Sequence, residues 1–396
     1  MQIEPTFDQR ATQPLATTPM RHELEIRFTG SGSEYFRIWI VNLLLTIVTL
    51  SLYYPWAKVR KLKYFYGNTL VGGQPLGFHA DPKKMLRGYL LVALMLVLYS
   101  VAGHVSPTAG LVALVIVGGI WPALLKSSMQ FRLANTSWRG LRFRFHGSVS
   151  GAYAAILPLF IPAVLFGALM LGVPDQKKPP EWFGGAFFGV FALTMLMLPW
   201  LWFTLKKYQH DHYGYGPEQT ALNTGPGAFY GVFMKTSGVS LLGFIAFGVV
   251  AAVLIASVVG LSVFGGSRSN PVAMAIFGAI VGLFGLLVVQ LMPRPYFTSR
   301  MQNLLWGKTA STNVSFRSAL RFRPLLWLTV KNWLLMVLTL GLYWPFAAVA
   351  MTRMRLEATS VQSDVDPQTL SDRARARDGE AAGDAAGDLF GLDIGL

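Results

Sequence analysis

The chain has 396 residues, 53% hydrophobic and 13% charged, with a mean hydropathy of +0.44. This balance excludes an ordinary soluble domain and indicates a multi-pass membrane protein, while the lack of cysteine excludes disulfides, thiolate zinc sites and iron–sulfur clusters. The net charge of +15 favours attraction to anionic phospholipids, and no nucleic-acid partner is expected because membrane topology already accounts for the basic residues.

The first 20 residues carry two acidic residues and no apolar core, so no cleavable signal peptide is expected there. Eight apolar stretches follow, and most of them reach the roughly 20 residues that a helix needs to cross about 30 Å of hydrocarbon. The stretches are 38–57, 88–105, 108–125, 152–172, 182–204, 240–264, 271–292 and 325–351.

The basic residues predict the orientation. If the six central stretches cross as three hairpins, four long loops share one face and together carry a net charge of +19, against +1 for the loops of the opposite face. By the positive-inside rule the four long loops are cytoplasmic. They are 58–87, 126–144, 206–235 and 294–331.

The first apolar stretch recurs near the end of the chain. NLLLTIVTLSLYYPWA (42–57) and NWLLMVLTLGLYWPFA (332–347) share nine identities at a constant offset. Looser copies surround other prolines, and each reads as an apolar helix, a proline, a basic and aromatic segment, a turn and a short strand. The strand signal is the alternation of Leu141, Phe143 and Phe145 with polar residues, and Val-Gly-Gly at 71–73 predicts a tight turn.

These patterns predict an all-α polytopic membrane protein. Its expected core is a bundle of 6–8 transmembrane helices with internal repeats and short cytoplasmic β-hairpins. The predicted domains are a flexible tail at 1–23, a membrane domain at 24–357 and a disordered acidic and alanine-rich tail at 358–396.

The segments FTGSGSEYFRIWIVN (28–42) and LLLTIVTLSLYYPWAKVRKLKYFYGNT (43–69) resemble the YjgN-like family of bacterial inner-membrane proteins, a domain of unknown function. The resemblance covers roughly residues 24–357. It implies a multi-pass protein of the bacterial cytoplasmic membrane with no established activity. The last copy departs from the pattern, because Ala348 and Ala350 stand where the first copy has Lys58 and Arg60.

The proline motif is interpreted as an interface elbow that turns the chain from a membrane span into a surface helix. In the surface helix, Val59, Leu62 and Tyr66 are expected to face acyl chains. The alternative is a dedicated lipid-headgroup site made of the basic residues of that helix. The elbow residues are Tyr53, Pro55, Trp56, Tyr343 and Pro345, and the candidate headgroup residues are Lys58, Arg60, Lys61 and Lys63.

Few polar residues lie inside the apolar stretches. Asn42 and Asn332 occupy equivalent positions of the two copies, and Gln290 lies in the seventh stretch. Such amides usually bond across to a neighbouring helix, and the alternative is that they line a substrate pathway.

No catalytic constellation is recognisable, so we expect neither an enzyme nor a cofactor. The spans contain no Asp or Glu, which disfavours intramembrane proteases and carboxylate proton relays. His210-Asp211-His212 is the densest group of metal-capable side chains, but a solvated loop is the favoured interpretation and no metal site is predicted.

The first and last stretches give conflicting signals. Their length favours full crossing, which would leave both tails outside. The basic residues Arg353 and Arg355 and the 28–30 segment instead resemble the cytoplasmic loops. Full crossing is the preferred prediction.

Two functions fit the sequence. The first is a module that binds or moves a small hydrophobic or lipid substrate. The alternative is a non-transporting scaffold that holds partner proteins at the cytoplasmic face. The predicted partners are the bilayer and its anionic phospholipids, and a protein partner or a homo-oligomer stays open.

Overall fold

The computed structural model describes residues 21–173, 178–264, 291–369 and 371–372, together with positions 272, 276–278, 281–282 and 285. Within these residues, eleven strands form one antiparallel sheet. The strands are β1 (His22–Phe28), β2 (Thr69–Val71), β3 (Gln74–Phe78), β4 (Thr136–Trp138), β5 (Leu141–Phe145), β6 (Tyr213–Tyr215), β7 (Glu218–Gln219), β8 (Ala221–Leu222), β9 (Thr309–Ala310), β10 (Val314–Ser318) and β11 (Thr359–Ser363).

The sheet curls into a nearly closed ring, which we call the strand ring. Its order is β7-β6-β5-β4-β3-β2-β1-β11-β10-β9-β8. The two edge strands are consecutive in the sequence, with Thr220 between them, so the chain itself bridges the seam. The predicted all-α class is therefore wrong, because the expected short hairpins pair with one another instead of standing alone.

Five units of strand, helical hairpin and strand supply ten of the eleven strands, and β7 is the additional strand at the seam. The two strands of each unit pair side by side, so every helical hairpin leaves from one edge of the ring and returns to it. The helices are Gly32–Val48 and Tyr54–Gly67 (unit 1); Pro82–Val105 and Pro107–Ala134 (unit 2); Val149–Ile156, the 3-10 segment Leu157–Phe160, Ile161–Leu171 and Glu181–His210 (unit 3); Pro226–Phe264 and Pro293–Lys308 (unit 4); and Phe322–Leu338 and Trp344–Glu357 (unit 5).

The opposite edge of the ring carries tight turns between units. Gly72 and Gly73, with φ of +54° and +77°, connect β2 to β3, as the Val-Gly-Gly segment predicts. Arg139 and Gly140 turn β4 into β5 with φ of +50° and +82°. Two successive residues at positive φ make the hairpin turn whose twist matches that of the strands, and glycine reaches this conformation without strain.

Apolar clusters join neighbouring units beneath the ring. Val59 of unit 1 packs with Phe78, Met85 and Phe131 of unit 2, and similar clusters join units 2 and 3, units 3 and 4, and units 5 and 1. Units 4 and 5 are joined by a polar contact, in which Arg355 Nε donates to Gln302 Oε1 over 2.9 Å.

Five helices in the described residues are long and apolar enough to cross a membrane: Pro82–Val105, Thr108–Ala134, Val149–Leu171, Glu181–His210 and Pro226–Ala256. The expected range of 6–8 is not met by this part of the chain, and most of the seventh apolar stretch, 271–292, lies outside the described residues. Many large apolar side chains of these helices are exposed, as a lipid-facing surface requires.

The first and last apolar stretches are not among the helices long enough to cross a membrane, in contrast to the preferred prediction of full crossing. Each is a short helical hairpin whose chain reverses after Val48 or Leu338. Leu50 and Ser51 reach positive φ in the first turn, and Leu340 and Gly341 do so in the last. Since β1 pairs with both β2 and β11, the first and last strands lie on the same side of the helices.

The predicted tails also differ from the structure at their edges. β1 begins at His22 within the predicted N-terminal tail, and β11 occupies 359–363 within the predicted C-terminal tail. Residues 1–20, 370 and 373–396 lie outside the described residues.

Candidate functional site

The strand ring encloses a cavity of about 470 Å³, which we call the lumen. Its walls come from strands all around the ring, and one end is lined by the last turns of helices from units 1, 2 and 4. The lining residues are Leu24, Ile26, Tyr66, Val71, Leu76, Met129, Arg132, Leu133, Trp138, Phe143, Tyr213, Gly214, Tyr215, Glu218, Thr220, Trp306, Ser311, Val314, Phe316, Val361 and Ser363.

Strand alternation explains why the lumen is apolar. In HELEIRF of β1, Leu24 and Ile26 face inward, and the charged residues between them lie on the other face. Cross-strand pairs extend the inner surface, since Leu24 is opposite Val361 in β11 and Val361 is opposite Phe316 in β10. Apolar side chains on one face of successive strands therefore form a continuous wall.

Arg132 brings positive charge into this apolar wall. It lies in the last turn of Pro107–Ala134, beside the lumen residues Met129 and Leu133. Its charge also acts on Tyr213 of β6, which packs against the cluster of Met129. Burial raises the pKa of the Tyr213 phenol, and the Arg132 guanidinium opposes that rise.

Glu218 closes the ring at its seam. Its carboxylate is buried and accepts hydrogen bonds from Asn313 Nδ2 (2.6 Å), Ser311 Oγ (2.6 Å) and the Asn313 backbone N–H (3.2 Å). Asn313 precedes β10, on the far side of the seam from β7. These bonds engage both carboxylate oxygens. They account for the burial of Glu218 at the edge of the lumen, where it holds the seam together.

The segment after β11 crosses the turn edge of the ring. The Asp364 backbone N–H donates to Asn313 O over 2.9 Å, and Arg139 Nη1 donates to Gln368 Oε1 over 2.7 Å. Asn313 and Arg139 belong to turns on well-separated parts of the ring. Residues 364–368 therefore bridge the mouth of the lumen that lies away from the helices, and Pro367 within them is buried.

The candidate headgroup residues divide into two groups. Arg60, Lys61 and Lys63 are exposed, with Arg60 over the ring of Tyr53 at 5.9 Å and Lys61 over the ring of Trp344 at 5.2 Å. Lys58 is half-buried, and burial lowers its pKa, with the charge of Arg132 as the second cause. The four side chains thus differ in exposure, and their predicted role as a headgroup site stays a prediction.

The apolar side of the Tyr54–Gly67 helix faces protein, which corrects the surface-helix interpretation. Val59 is 2% exposed within an apolar cluster that Leu62 and Tyr66 contact, and Tyr66 also lines the lumen. The helix is therefore held between its own unit and unit 2.

The elbow residues lie where unit 1 and unit 5 reverse direction. Pro55 and Pro345 occupy the first turns of their helices and are buried. Tyr53 stacks on Trp56 at 6.0 Å, and Tyr343 stacks on Phe346 at 5.4 Å. In units 2 and 3, by contrast, Pro122 and Pro199 lie inside continuous helices.

Asn42 and Asn332 do not line the lumen. Asn42 and Asn332 are 7% and 3% exposed. Asn42 Nδ2 donates to Ala57 O at 3.4 Å, whereas neither side-chain polar atom of Asn332 has a hydrogen-bond partner among the described residues. Gln290 lies outside the described residues. Their predicted role as polar contacts or pathway residues stays a prediction.

The histidines of the 210–212 segment point to different partners. His210 Nδ1 lies 2.8 Å from Thr309 Oγ1, and His212 Nδ1 lies 2.8 Å from Tyr208 O. Asp211 Oδ2 pairs with Lys207 Nζ at 2.8 Å. In the described part of the chain, no group of three or more His, Cys, Asp or Glu residues is placed to hold a metal ion.

The sequence interpretation did not predict a lumen, although it named lining residues such as Tyr66, as facing acyl chains, and Phe143, as part of a strand. The alternation in β1, with Leu24, Ile26 and Phe28 separated by charged residues, was an available signal. Arg132 and Trp306 carried no comparable signal, because each lies in a helical segment and reaches the lumen only when the ring forms.

Bacterial inner-membrane proteins resemble this chain over most of its length. The family model described as Bacterial protein of unknown function (DUF898) matches residues 23–389. Inner membrane protein YjgN of Salmonella typhimurium (strain LT2) is 25% identical over 370 residues, covering 88% of this chain and 91% of that protein. Inner membrane protein YjgN of Escherichia coli (strain K12) is 29% identical over 140 residues, covering 35% of this chain and 34% of that protein. No solved structure matches.

Proposed function

The chain belongs to the family described as Bacterial protein of unknown function (DUF898), and on that premise we propose that this bacterial inner-membrane protein binds a small hydrophobic or lipid molecule in its lumen. The protein acts here as a binding module and not as an enzyme. We further infer that it is a multi-pass protein whose five units are copies of one internal repeat, so that the lumen lies on the axis around which the copies are arranged.

The observation that carries this proposal is the lumen itself. Its volume of about 470 Å³ falls within the roughly 300–1,000 Å³ of typical ligand pockets, and its walls are mainly apolar and aromatic with a few polar groups. Side chains fill the interior of a barrel of about eight strands, and larger barrels enclose ligand cavities. A ring of eleven strands supports the second outcome.

A cavity-filling variant tests the proposal. Val361 faces the lumen between Leu24 and Phe316, so Val361→Trp would occupy ligand space. Its neighbour Gln362 points to the other face of β11 and is absent from the lumen wall, so Gln362→Trp is the matched control. Native mass spectrometry of the detergent-released protein should find a co-purifying small molecule in the parent and in Gln362→Trp.

The expected result is that Val361→Trp loses this molecule while its melting temperature stays within a few degrees of the parent. An equal amount of bound molecule in both tryptophan variants would contradict the lumen as the site. The scaffold is the alternative function, and a co-purifying protein that Val361→Trp retains would favour it.

A further inference from the structure

We infer that Lys58, Arg132 and Lys206 form a binding site for an anionic group, a phosphate or carboxylate, that adjoins the apolar lumen. The ligand would be an anionic amphiphile, with its apolar part among the lumen side chains and its charged group at these three cations. This inference rests on the proposed lumen function and specifies its substrate class.

The three cations come from three successive units that pack together. Val59, next to Lys58, shares an apolar cluster with Phe131, next to Arg132, and Leu205, next to Lys206, packs against the cluster of Met129. Arg132 is the charged neighbour of Lys58 and also of Lys206. Lys58 and Lys206 are half-buried. Arg132 is exposed. Its charge repels each of the two half-buried ammonium groups, and an anion beside Arg132 would relieve this repulsion.

Carboxylates of the described residues do not supply that anion. The contacts of Lys206 are Gln209 Oε1 at 2.8 Å and the Trp202 ring at 5.7 Å. Lys58 lies over the Tyr54 ring at 6.0 Å. The Arg132 guanidinium has no hydrogen bond or ion pair with a described side chain.

The nearest acidic candidates have other partners. Glu218 lines the lumen, but its carboxylate accepts bonds from Ser311 and Asn313. Asp211 pairs with Lys207 and accepts from the Leu222 backbone N–H at 2.7 Å. The positive charge of the three cations thus stays available to a ligand.

The three cations lie at different distances along their helices, measured from the proline of each unit. Lys58 is three residues beyond Pro55, Lys206 seven beyond Pro199 and Arg132 ten beyond Pro122. Since these prolines begin equivalent segments and a helix rises about 1.5 Å per residue, the charges extend over roughly 10 Å from the elbow level to the lumen. An anion that enters from the membrane side would meet Lys58 before Arg132.

Units 4 and 5 lack this arrangement. The positions equivalent to Lys58 are Thr298 and Ala348, and those equivalent to Lys206 are Gln302 and Thr352. Arg355 occupies the position equivalent to Arg132, but its guanidinium donates to Gln302 Oε1. The anion site is therefore confined to the side of the ring formed by units 1 to 3.

Tryptophan quenching in the full-length purified protein tests the inference. Trp138 and Trp306 line the lumen, so a bound brominated ligand should quench them, and Trp138→Phe with Trp306→Phe defines the background. The probes are dibromostearate, a dibrominated monoacylglycerol as the uncharged analogue, and inorganic phosphate as a competitor. The variants are Arg132→Gln, Arg132→Lys and Lys58→Gln, with the exposed cation variant Arg60→Gln as the matched control.

The expected result is that Arg132→Gln and Lys58→Gln each weaken dibromostearate binding about tenfold, the effect of losing one charge-assisted contact. Arg132→Lys and Arg60→Gln should bind within about twofold of the parent, and the uncharged analogue should bind all variants equally. If Arg132→Gln fails to fold, Lys58→Gln against Arg60→Gln carries the same comparison.

Two outcomes overturn the anion site alone: equal affinity of the parent for charged and uncharged probes, or equal losses in Lys58→Gln and Arg60→Gln. Inorganic phosphate that binds in an Arg132-dependent way without displacing dibromostearate would assign these cations to a free anion and overturn the amphiphile. If neither probe quenches Trp138 and Trp306, the lumen function fails together with the inference that rests on it. Quenching by the uncharged probe alone would retain the lumen function and reject the anion site.

Discussion

Asn313 Nδ2 donates to Glu218 Oε1 over 2.6 Å, across the seam where the two ends of the eleven-stranded sheet meet. The residues are 95 positions apart in the sequence. Thr220 links the two edge strands covalently, and hydrogen bonds such as that from Ser311 to Glu218 stabilise the seam. Contacts of this kind protect the two edge strands, β7 and β8, which could otherwise pair with other chains.

Removing the Glu218 carboxylate should destabilise the ring. Glu218→Ala leaves three donors without their acceptor, and we expect a loss of roughly 3 kcal/mol in the free energy of unfolding. Asn313→Ala should cost less on its own and add little to Glu218→Ala, because both remove the same contact. Glu23→Ala is the control, since this exposed carboxylate accepts one bond from Ser360 Oγ. Denaturant unfolding in detergent measures the three single variants and the double variant of Glu218 and Asn313. Additive losses of unfolding free energy in the double variant would contradict the shared contact.

Thr309 should matter more than its counterpart in unit 1. Thr309 Oγ1 lies 2.8 Å from the buried His210 Nδ1 and donates to Leu305 O, whereas Thr69 Oγ1 donates to Phe65 O. Thr309→Val removes the partner of a buried ring nitrogen, so it should cost about 1–3 kcal/mol, and Thr69→Val should cost about 1. Thermal unfolding monitored by size-exclusion fluorescence compares them, and equal melting temperatures would contradict the difference.

Both ends of the ring domain should lie on the cytoplasmic side. β1 and β11 are paired, and the loops around Arg60, Arg139 and Arg317 carry the basic excess that predicts this orientation. Cysteines placed at these three positions should resist a membrane-impermeant maleimide in intact cells. A reporter after Leu396 that is active only in the cytoplasm should be active. External labelling at any of the three positions would reverse the orientation.

Stability should fall on acidification, partly through His146. Burial lowers the pKa of this imidazole, and the charges of Arg144 and His212 lower it further. Below pH about 6.5 the unfolded chain binds a proton that the folded protein resists, so stability decreases as the pH falls from there towards the folded pKa. His146→Gln should reduce the difference between melting temperatures at pH 5 and pH 7.5. An unchanged difference would show that His146 does not contribute.

The segment after β11 should limit access to the lumen. In this cysteine-free chain, Val361→Cys places a thiol in the lumen wall and Gln362→Cys places one on the other face of the same strand. A stop after Ser363 removes the bridge between Asn313 and Arg139. In detergent, truncation should speed maleimide labelling of Val361→Cys at least about fivefold and leave Gln362→Cys unchanged, because the reagent reaches a thiol inside the ring through its mouth and reaches the other face of the strand directly. Equal rates in both lengths would show that the mouth is already open.

Local sequence patterns were sufficient to predict several helices, strands and turns. Apolar length predicted the helices, proline marked the first turn at Pro55, and paired glycines at Gly72 and Gly73 predicted the turn between β2 and β3. Alternation predicted β5 as a strand. Each depends on residues within one or two turns of chain, so the sequence was sufficient.

The residues of the candidate site could not be predicted from local patterns. Lys58 was grouped with Arg60, Lys61 and Lys63, but in the structure Lys58 is half-buried while the other three are exposed. Its helix also packs against that of Arg132, 74 positions away in the sequence. Helical periodicity correctly identified Val59, Leu62 and Tyr66 as the apolar face. It could not tell whether that face meets lipid or protein, because acyl chains and apolar side chains are equally compatible with such residues.

The sequence by itself determined that this is a membrane protein with recurring helix-and-strand segments, since hydropathy, proline and glycine act on neighbouring residues. Only the tertiary structure decided that the first and last stretches turn back, that β1 pairs with β11, and that the strands enclose a lumen. Short strands leave backbone groups that must find partners, and many pairings satisfy them equally well. The choice among those pairings depends on the packing of whole units against one another, as where Phe28 and Tyr35 of unit 1 meet Val349 of unit 5.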